Sequence, residues 1–97
     1  MLVRLTEVCK NVAVTSKKDY MLREVLINPE HVIMVRADLK TQRLNENGEL
    51  NKDLDSNHRF SKLTINRGNS GTEIIVIGDP NSVETKLSKN TKQVLRG

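Results

Sequence analysis

The stretch from Arg59 to Ile77, RFSKLTINRGNSGTEIIVI, constrains the fold of this chain more than any other, because it has the pattern of strand, tight turn and strand. Side chains alternate between the two faces of a strand. Leu63 and Ile65 therefore share one face of the first strand, and Phe60 and Lys62 share the other. This alternation predicts a sheet with one dry face and one wetter face.

The turn of this hairpin falls in residues 67–71, RGNSG. Glycine and asparagine adopt positive φ angles at little cost, so the segment predicts a hairpin loop, and we expect a longer loop with a bulge. The second strand ends in Ile74–Ile77, a continuous β-branched run that predicts burial on both faces. Another copy of the chain and the C-terminal helix are the alternative covers for one of these faces.

Three further strands are predicted upstream, at residues 1–8, 22–27 and 31–36. Between the last two, Asn28-Pro29-Glu30 predicts a sharp corner, because proline cannot donate to a strand ladder and favours an extended residue before it. The strand after the corner contains Val32–Val35, again a continuous apolar run.

The segment 41–58 is polar, and its large apolar residues are Leu44, Leu50 and Leu54. One interpretation is a flexible loop with few contacts. The other is a long polar hairpin arm that turns at Asn47-Gly48, a sequence typical of two-residue hairpin turns. We favour the arm, because a structureless loop of this length is uncommon in a compact domain.

A helical tail is predicted at residues 79–97, with Asp79 as N-cap and Pro80 in the first turn. Val83 and Leu87 mark its apolar stripe, and the helix reaches Ser88 or Lys89, or continues further. The chain is therefore predicted to be one small domain, 1–97, of the mainly β (β-rich α+β) class. It would contain four to five mostly antiparallel strands, as a sheet or open barrel, and one C-terminal helix.

This pattern resembles the small FlbD/SwrD-type proteins of bacterial motility systems, and the compact size and strand style also resemble small accessory proteins of tailed phages. The resemblance lies in the strand pattern, the corner and the glycine turn, and it implies no activity or functional residue. The residues that carry it are Leu5-Thr6, Ile27–Ile33, Leu63-Thr64-Ile65, Ile74–Ile77 and Ser82-Val83-Glu84.

Residues for metal binding and catalysis are scarce. Cys9, His31 and His58 are far apart in sequence, without the spacing of a ligand cluster. Ser56 and Asp55 lie beside His58 in a polar segment, which is a poor scaffold for catalytic geometry. We therefore predict no metal, no cofactor and no enzyme activity. A lone cysteine and the lack of a long apolar run lead us to expect a cytoplasmic protein without a membrane span.

The positive charge lies at the C-terminus. Four of the 16 basic residues follow residue 85 and no acidic residue does, so residues 1–85 carry 12 of each sign. A basic tail on a neutral body predicts, as an alternative function, sequence-independent binding of nucleic acid. The candidate contacts are Arg67, Lys86, Lys89, Lys92 and Arg96. The competing interpretation is a lysine-rich helix end that complements the helix dipole.

Aromatic residues make up 2% of the chain, so the core is thin and aliphatic. Small domains with thin cores often gain stability by forming oligomers. The two apolar runs leave surface for a partner to cover, so we predict a homo-oligomer that also binds another protein. The predicted interface residues are Val32, Met34, Ile74 and Val76. The favoured function is accordingly a non-catalytic accessory or regulatory binding module.

Overall fold

Five antiparallel strands form one open sheet, with the strand order β2-β1-β5-β4-β3. The computed structural model describes residues 1–10, 20–51, 54–68 and 70–96, and the mainly β prediction is confirmed. Over these residues there are two α-helices, whereas the sequence predicted one. The elements are β1 (Val3–Lys10), β2 (Tyr20–Ile27), a 3-10 turn (Pro29–His31), β3 (Val32–Ala37), α1 (Leu39–Glu46), β4 (Phe60–Arg67), β5 (Ser70–Ile77) and α2 (Pro80–Arg96).

The connection between β2 and β3 forces the sheet to coil. Four antiparallel pairings separate β2 from β3, so these two strands run in the same direction. Ile27, at the end of β2, and Val32, at the start of β3, therefore belong to opposite ends of the sheet as well as to opposite edges. In a flat sheet they would be separated by about 26 Å along the strands and about 19 Å across them. The five Cα steps from residue 27 to residue 32 reach at most about 19 Å, and less through a 3-10 turn. The sheet must therefore curl until these two ends approach each other.

The predicted central hairpin is confirmed, but its loop is shorter than expected. Arg67 pairs directly with Ser70, and the register from Phe60–Ile77 to Arg67–Ser70 runs without a shift, so the paired strands contain no bulge. Gly68 has a φ of 72°, a conformation that favours glycine. The register shift of the described sheet lies instead in β3, between Val32 and Met34, where Ile33 is the extra residue.

The concave inner face of the sheet packs against α2. We call this set of buried residues the inner cluster. Leu63 and Val76 at its centre are 0% exposed, and Ile65 packs against it, as the period-two pattern predicted for Leu63 and Ile65. Helix α2 contributes Val83, which is 1% exposed. The members of the inner cluster are Val3, Leu5, Ile27, Leu63, Val76, Val83 and Leu87.

The prediction for residues 41–58 is wrong, because the segment is neither a hairpin arm nor a loop with few contacts. Its start belongs to α1, which Asp38 caps: Thr41 donates from its hydroxyl to Asp38 Oδ2 at 2.8 Å. The Asn47-Gly48 pair ends this helix rather than tipping a hairpin. Gly48 has a φ of 74°, and the Glu49 amide donates back to the Leu44 carbonyl at 2.8 Å.

The segment that follows α1 folds back onto the convex outer face of the sheet. Leu50 is 2% exposed and packs with Val8 and Phe60, and Leu44 and Leu54 contact the same cluster. We call this set the outer cluster; the strand residues Tyr20, Leu22, Ile75 and Ile77 also pack against it. The run Ile74–Ile77 thus alternates between the inner and outer clusters, which confirms its predicted burial on two faces.

Two side-chain amides fix this segment. Asn45 is 4% exposed and donates to the Asp55 carbonyl at 2.7 Å. Asn51 donates to the Tyr20 carbonyl at 2.7 Å, while the Tyr20 amide donates to the Leu50 carbonyl at 3.4 Å. These bonds satisfy backbone carbonyls that lie beside the apolar contacts. Polar residues of this segment are therefore part of its packing on the sheet and are not all exposed to solvent.

We expect Leu50→Ala to lower the free energy of unfolding by about 2 to 5 kcal/mol, because it empties a buried site between the segment and the sheet. Urea denaturation measures the change. The control is Leu39→Ala, the same substitution at a position 56% exposed, with an expected effect within about 0.5 kcal/mol. Equal effects of the two substitutions would contradict the packing of this segment on the sheet.

Candidate interaction surface at the sheet edges

A groove of about 350 Å³ lies between edge strand β3 and helix α2. Val32 and Val35 line it from the strand side, and Leu87 lines it from the helix. Glu84 and Ser88 also line it, and the Ser88 hydroxyl donates to Glu84 Oε2 at 2.6 Å. The groove is thus largely apolar, with a polar margin on the helix side.

The helix wall of this groove is fixed at its N-terminus by Asp79. The Ser82 amide donates to Asp79 Oδ1 at 3.1 Å, and the Val83 amide donates to the Asp79 carbonyl at 3.0 Å. Hydrogen bonding from Ser82, with a smaller contribution from the positive charge of Arg59, holds the pKa of the Asp79 carboxyl below its ordinary value of 3.8. The ionised carboxylate is therefore the form that caps α2.

Edge strand β3 exposes apolar side chains and bare backbone. Ile33 is 61% exposed and Met34 is 41% exposed. The Asp38 amide donates to the Phe60 carbonyl at 2.9 Å, which places the backbone groups of even-numbered positions on the β4 side. By alternation, the N–H and C=O groups of Val35 and Ala37 point away from β4, toward the open edge.

The opposite edge strand, β2, is exposed in the same way. The Tyr20 amide of β2 donates to the Leu50 carbonyl, which lies outside the sheet. The backbone N–H and C=O groups of even-numbered residues in β2 therefore point away from β1. The outward backbone groups therefore belong to Leu22, Glu24 and Leu26. Leu26 is 52% exposed, and Met21 on the other face is 40% exposed.

Exposed apolar side chains are concentrated at these two edges. Among the residues that the structure describes, every large hydrophobic side chain that is exposed lies on β2 or β3 or beside one of their ends. None of them lies on β4, β5 or α2. They are Met1, Leu2, Met21, Leu26, Ile33, Met34 and Leu39.

The structure separates the four predicted interface residues. Val32 and Met34 lie together on the β3 edge and line the groove. Ile74 is half-buried, packs against the inner cluster and lines a second cavity of about 240 Å³. Val76 is 0% exposed in the inner cluster, so its side chain has no surface to offer a partner. Ile33, which is not among the predicted interface residues, is the most exposed of the apolar residues on the edge strands.

The predicted nucleic-acid residues can be located only in part. Lys86 is exposed on α2, and this helix continues to Arg96, past the shorter of the predicted ends. Lys89, Lys92 and Arg96 lie on the same helix and Arg67 lies at the end of β4, but their side chains are outside the described part of the structure.

No three histidine, cysteine, aspartate or glutamate side chains come together as metal ligands within the described ranges. Cys9 is on β1, His31 is in the 3-10 turn, and His58 precedes β4. The Nδ1 atom of His58 lies 3.2 Å from the Asp55 amide nitrogen and 3.1 Å from its carbonyl oxygen. The imidazole is therefore engaged with the backbone of its own turn.

No family model, curated protein or solved structure matches this chain. The resemblance to FlbD/SwrD-type and phage accessory proteins accordingly stays an expectation. Neither α1 nor α2, over the residues described, is long and apolar enough to cross a membrane.

We expect Asp79→Ala to lower the melting temperature at pH 7, because the variant lacks the carboxylate that caps α2. The lowered pKa means that the wild type keeps this stabilisation above pH 3.8 and loses it as the pH falls through the lowered pKa of the folded state. The difference between wild type and variant should therefore shrink in acid, as measured by thermal denaturation across this range. Asp79→Asn is the matched control, since it keeps an acceptor oxygen without the charge; a difference that grows in acid would contradict this assignment.

Proposed function

We propose that this protein is a non-catalytic interaction module that self-associates and binds protein partners through the β3 edge and its groove. The observation that supports this function most is the exposure of Ile33 and Met34 on an edge strand with unpaired backbone groups. Both a strand-shaped hydrogen-bonding template and an apolar groove are present at one place.

An edge strand with little protection against pairing is uncommon in proteins that do not bind another chain there. Natural sheets protect an edge with lysine, proline or a covering segment, because bare N–H and C=O groups recruit other chains. The sequence of β3, VIMVRA, contains neither lysine nor proline. Its bulge at Ile33 and the charge of Arg36 are the protective features that it does have, and they leave Val35 and Ala37 open to pairing.

The geometry defines the kind of partner that fits. An extended segment added beside β3 would bond to the backbone of Val35 and Ala37 and place alternate side chains toward the groove, where Leu87 lies. Apolar side chains at every second position suit this surface. The main-chain bonds would supply affinity and the groove would supply selectivity.

We expect Ile33→Lys to weaken self-association by about tenfold or more, because it places a solvated ammonium group where apolar surface would be buried. Light scattering coupled to size-exclusion chromatography over a dilution series measures the association constant. Thr85→Lys is the control, since it adds the same charge at an exposed position on α2 that does not line the groove. Circular dichroism verifies that both variants fold.

The same experiment discriminates against the alternative function. A wild-type protein that stays monomeric, or an Ile33→Lys variant that associates as well as the control, would contradict the proposal. A monomer that carries nucleic acid at low salt and releases it at high salt, detected by absorbance at 260 nm, would favour the basic tail instead.

A further inference from the structure

We infer that the β3 edge of one copy of this chain pairs with the β2 edge of the next, in a head-to-tail arrangement. The inference rests on the proposed function and specifies which surface of the second copy is used. Within the described residues the sheet has two edge strands, β2 and β3, and each combines exposed apolar side chains with outward-facing backbone groups that no neighbouring strand pairs.

One kind of contact between unlike edges, repeated from copy to copy, covers both edges of every chain inside the assembly. Pairing β3 with β3 about a two-fold axis would leave the β2 edge, with Leu26 at 52% exposure, open on both copies. A peptide from another protein would also leave one edge uncovered. Pairing β2 with β3 of the neighbouring copy uses Leu22, Glu24 and Leu26 of one chain and Val35 and Ala37 of the other.

The charges of the two edges are complementary on the outer face of the sheet. Residues that pair directly across neighbouring strands lie on the same face of the sheet. Arg36 pairs with Lys62, Lys62 with Ile75, and Ile75 with Val8, so the Arg36 side chain lies on the outer face, as that of Val8 does. Val8 pairs with Leu22, and Glu24 lies two positions further along on the same face of β2. The β2 edge therefore presents a carboxylate where the β3 edge presents a guanidinium.

Both charged groups lie at the surface. Glu24 is 60% exposed at its side chain and pairs at 3.4 Å with Arg4, which is 67% exposed, so Arg36 of another copy would join an exposed ion pair. Arg36 donates to the Met34 sulfur at 2.7 Å and, among the described residues, has no carboxylate partner. A β3–β3 contact would bring two Arg36 side chains toward one another, which electrostatic repulsion disfavours.

The direction of the strands sets the geometry of the junction. Because β2 and β3 run the same way in the sheet, continuing the sheet with its outer face kept outward makes the new pair parallel. Each added copy leaves one β2 edge and one β3 edge free at the ends. Assembly of this heterologous kind continues until a ring closes, or forms a filament if it does not close.

The test uses two full-length variants, each blocked at one edge: Leu26→Lys on β2 and Ile33→Lys on β3. Both positions are exposed, so both variants should fold, which circular dichroism verifies. Head-to-tail pairing predicts that each variant alone is monomeric. It also predicts that an equimolar mixture forms a dimer, because one intact β2 edge and one intact β3 edge remain. Light scattering of the two variants, their mixture and the wild type gives the masses.

Other outcomes overturn the inference in distinguishable ways. If Leu26→Lys still dimerises, Ile33→Lys does not, and the mixture forms nothing new, the contact is a two-fold β3 pair, and the proposed function stands without this inference. A monomeric wild type overturns both. A second pair of variants, Glu24→Arg and Arg36→Glu, tests the charges: each alone should weaken association, and mixing should restore it, because opposite charges meet at both junctions between unlike variants. Failure of the mixture to restore it would contradict the pairing of these two side chains.

Discussion

The four-residue connection between β2 and β3 is the constraint on which the rest of the structure depends. The end of β2 and the start of β3 belong to opposite corners of the sheet, and residues 28–31 are too few to connect these corners if the sheet is flat. Pro29 and the 3-10 turn shorten the reach of the connection further. Coiling of the sheet is therefore a requirement of chain geometry, and it creates both a concave inner face and a convex outer face.

Each face then needs its own cover, and the chain supplies two. Helix α2 inserts Val83 and Leu87 against the concave face, while the segment after α1 places Leu50 against the convex face. Phe60, the one phenylalanine of the chain, is 1% exposed in the outer cluster. An aliphatic cluster on one side of the sheet and a second cluster on the other, which holds both aromatic residues, explain how a chain with few aromatic residues buries apolar surface. Both covers lie over the sheet faces. The second also bonds to the backbone of Tyr20 at the start of β2, but no described strand pairs with the outer side of β2 or β3.

The strands and the central hairpin could be predicted because their signals are local: period-two alternation, a glycine turn, and an aspartate-proline helix start at Asp79. Helix α1 could not be predicted from periodicity, because its sequence, LKTQRLNE, is mostly polar. Its ends did carry a signal, with Asp38 as a cap before it and Gly48 after it, but the Asn-Gly pair is equally typical of a hairpin turn. In the candidate surface, Met34 and Val76 were both predicted from apolar runs. Such runs look alike in the sequence, so it could not show that Met34 is exposed and Val76 is buried. Exposure of an edge depends on strand order, and the order follows from the non-local pairing of β1 with β5.

The central claim is that the two sheet edges are open in a single chain and covered when chains associate. Residue-resolved amide hydrogen exchange at low and high protein concentration tests it most directly. The account predicts that protection at Leu22, Glu24, Leu26, Val35 and Ala37 rises with concentration. The amides of Arg23 and Val25, which face β1, should be protected throughout and serve as internal controls. Protection at the outward amides that does not change with concentration, in a protein that does associate, would contradict the account.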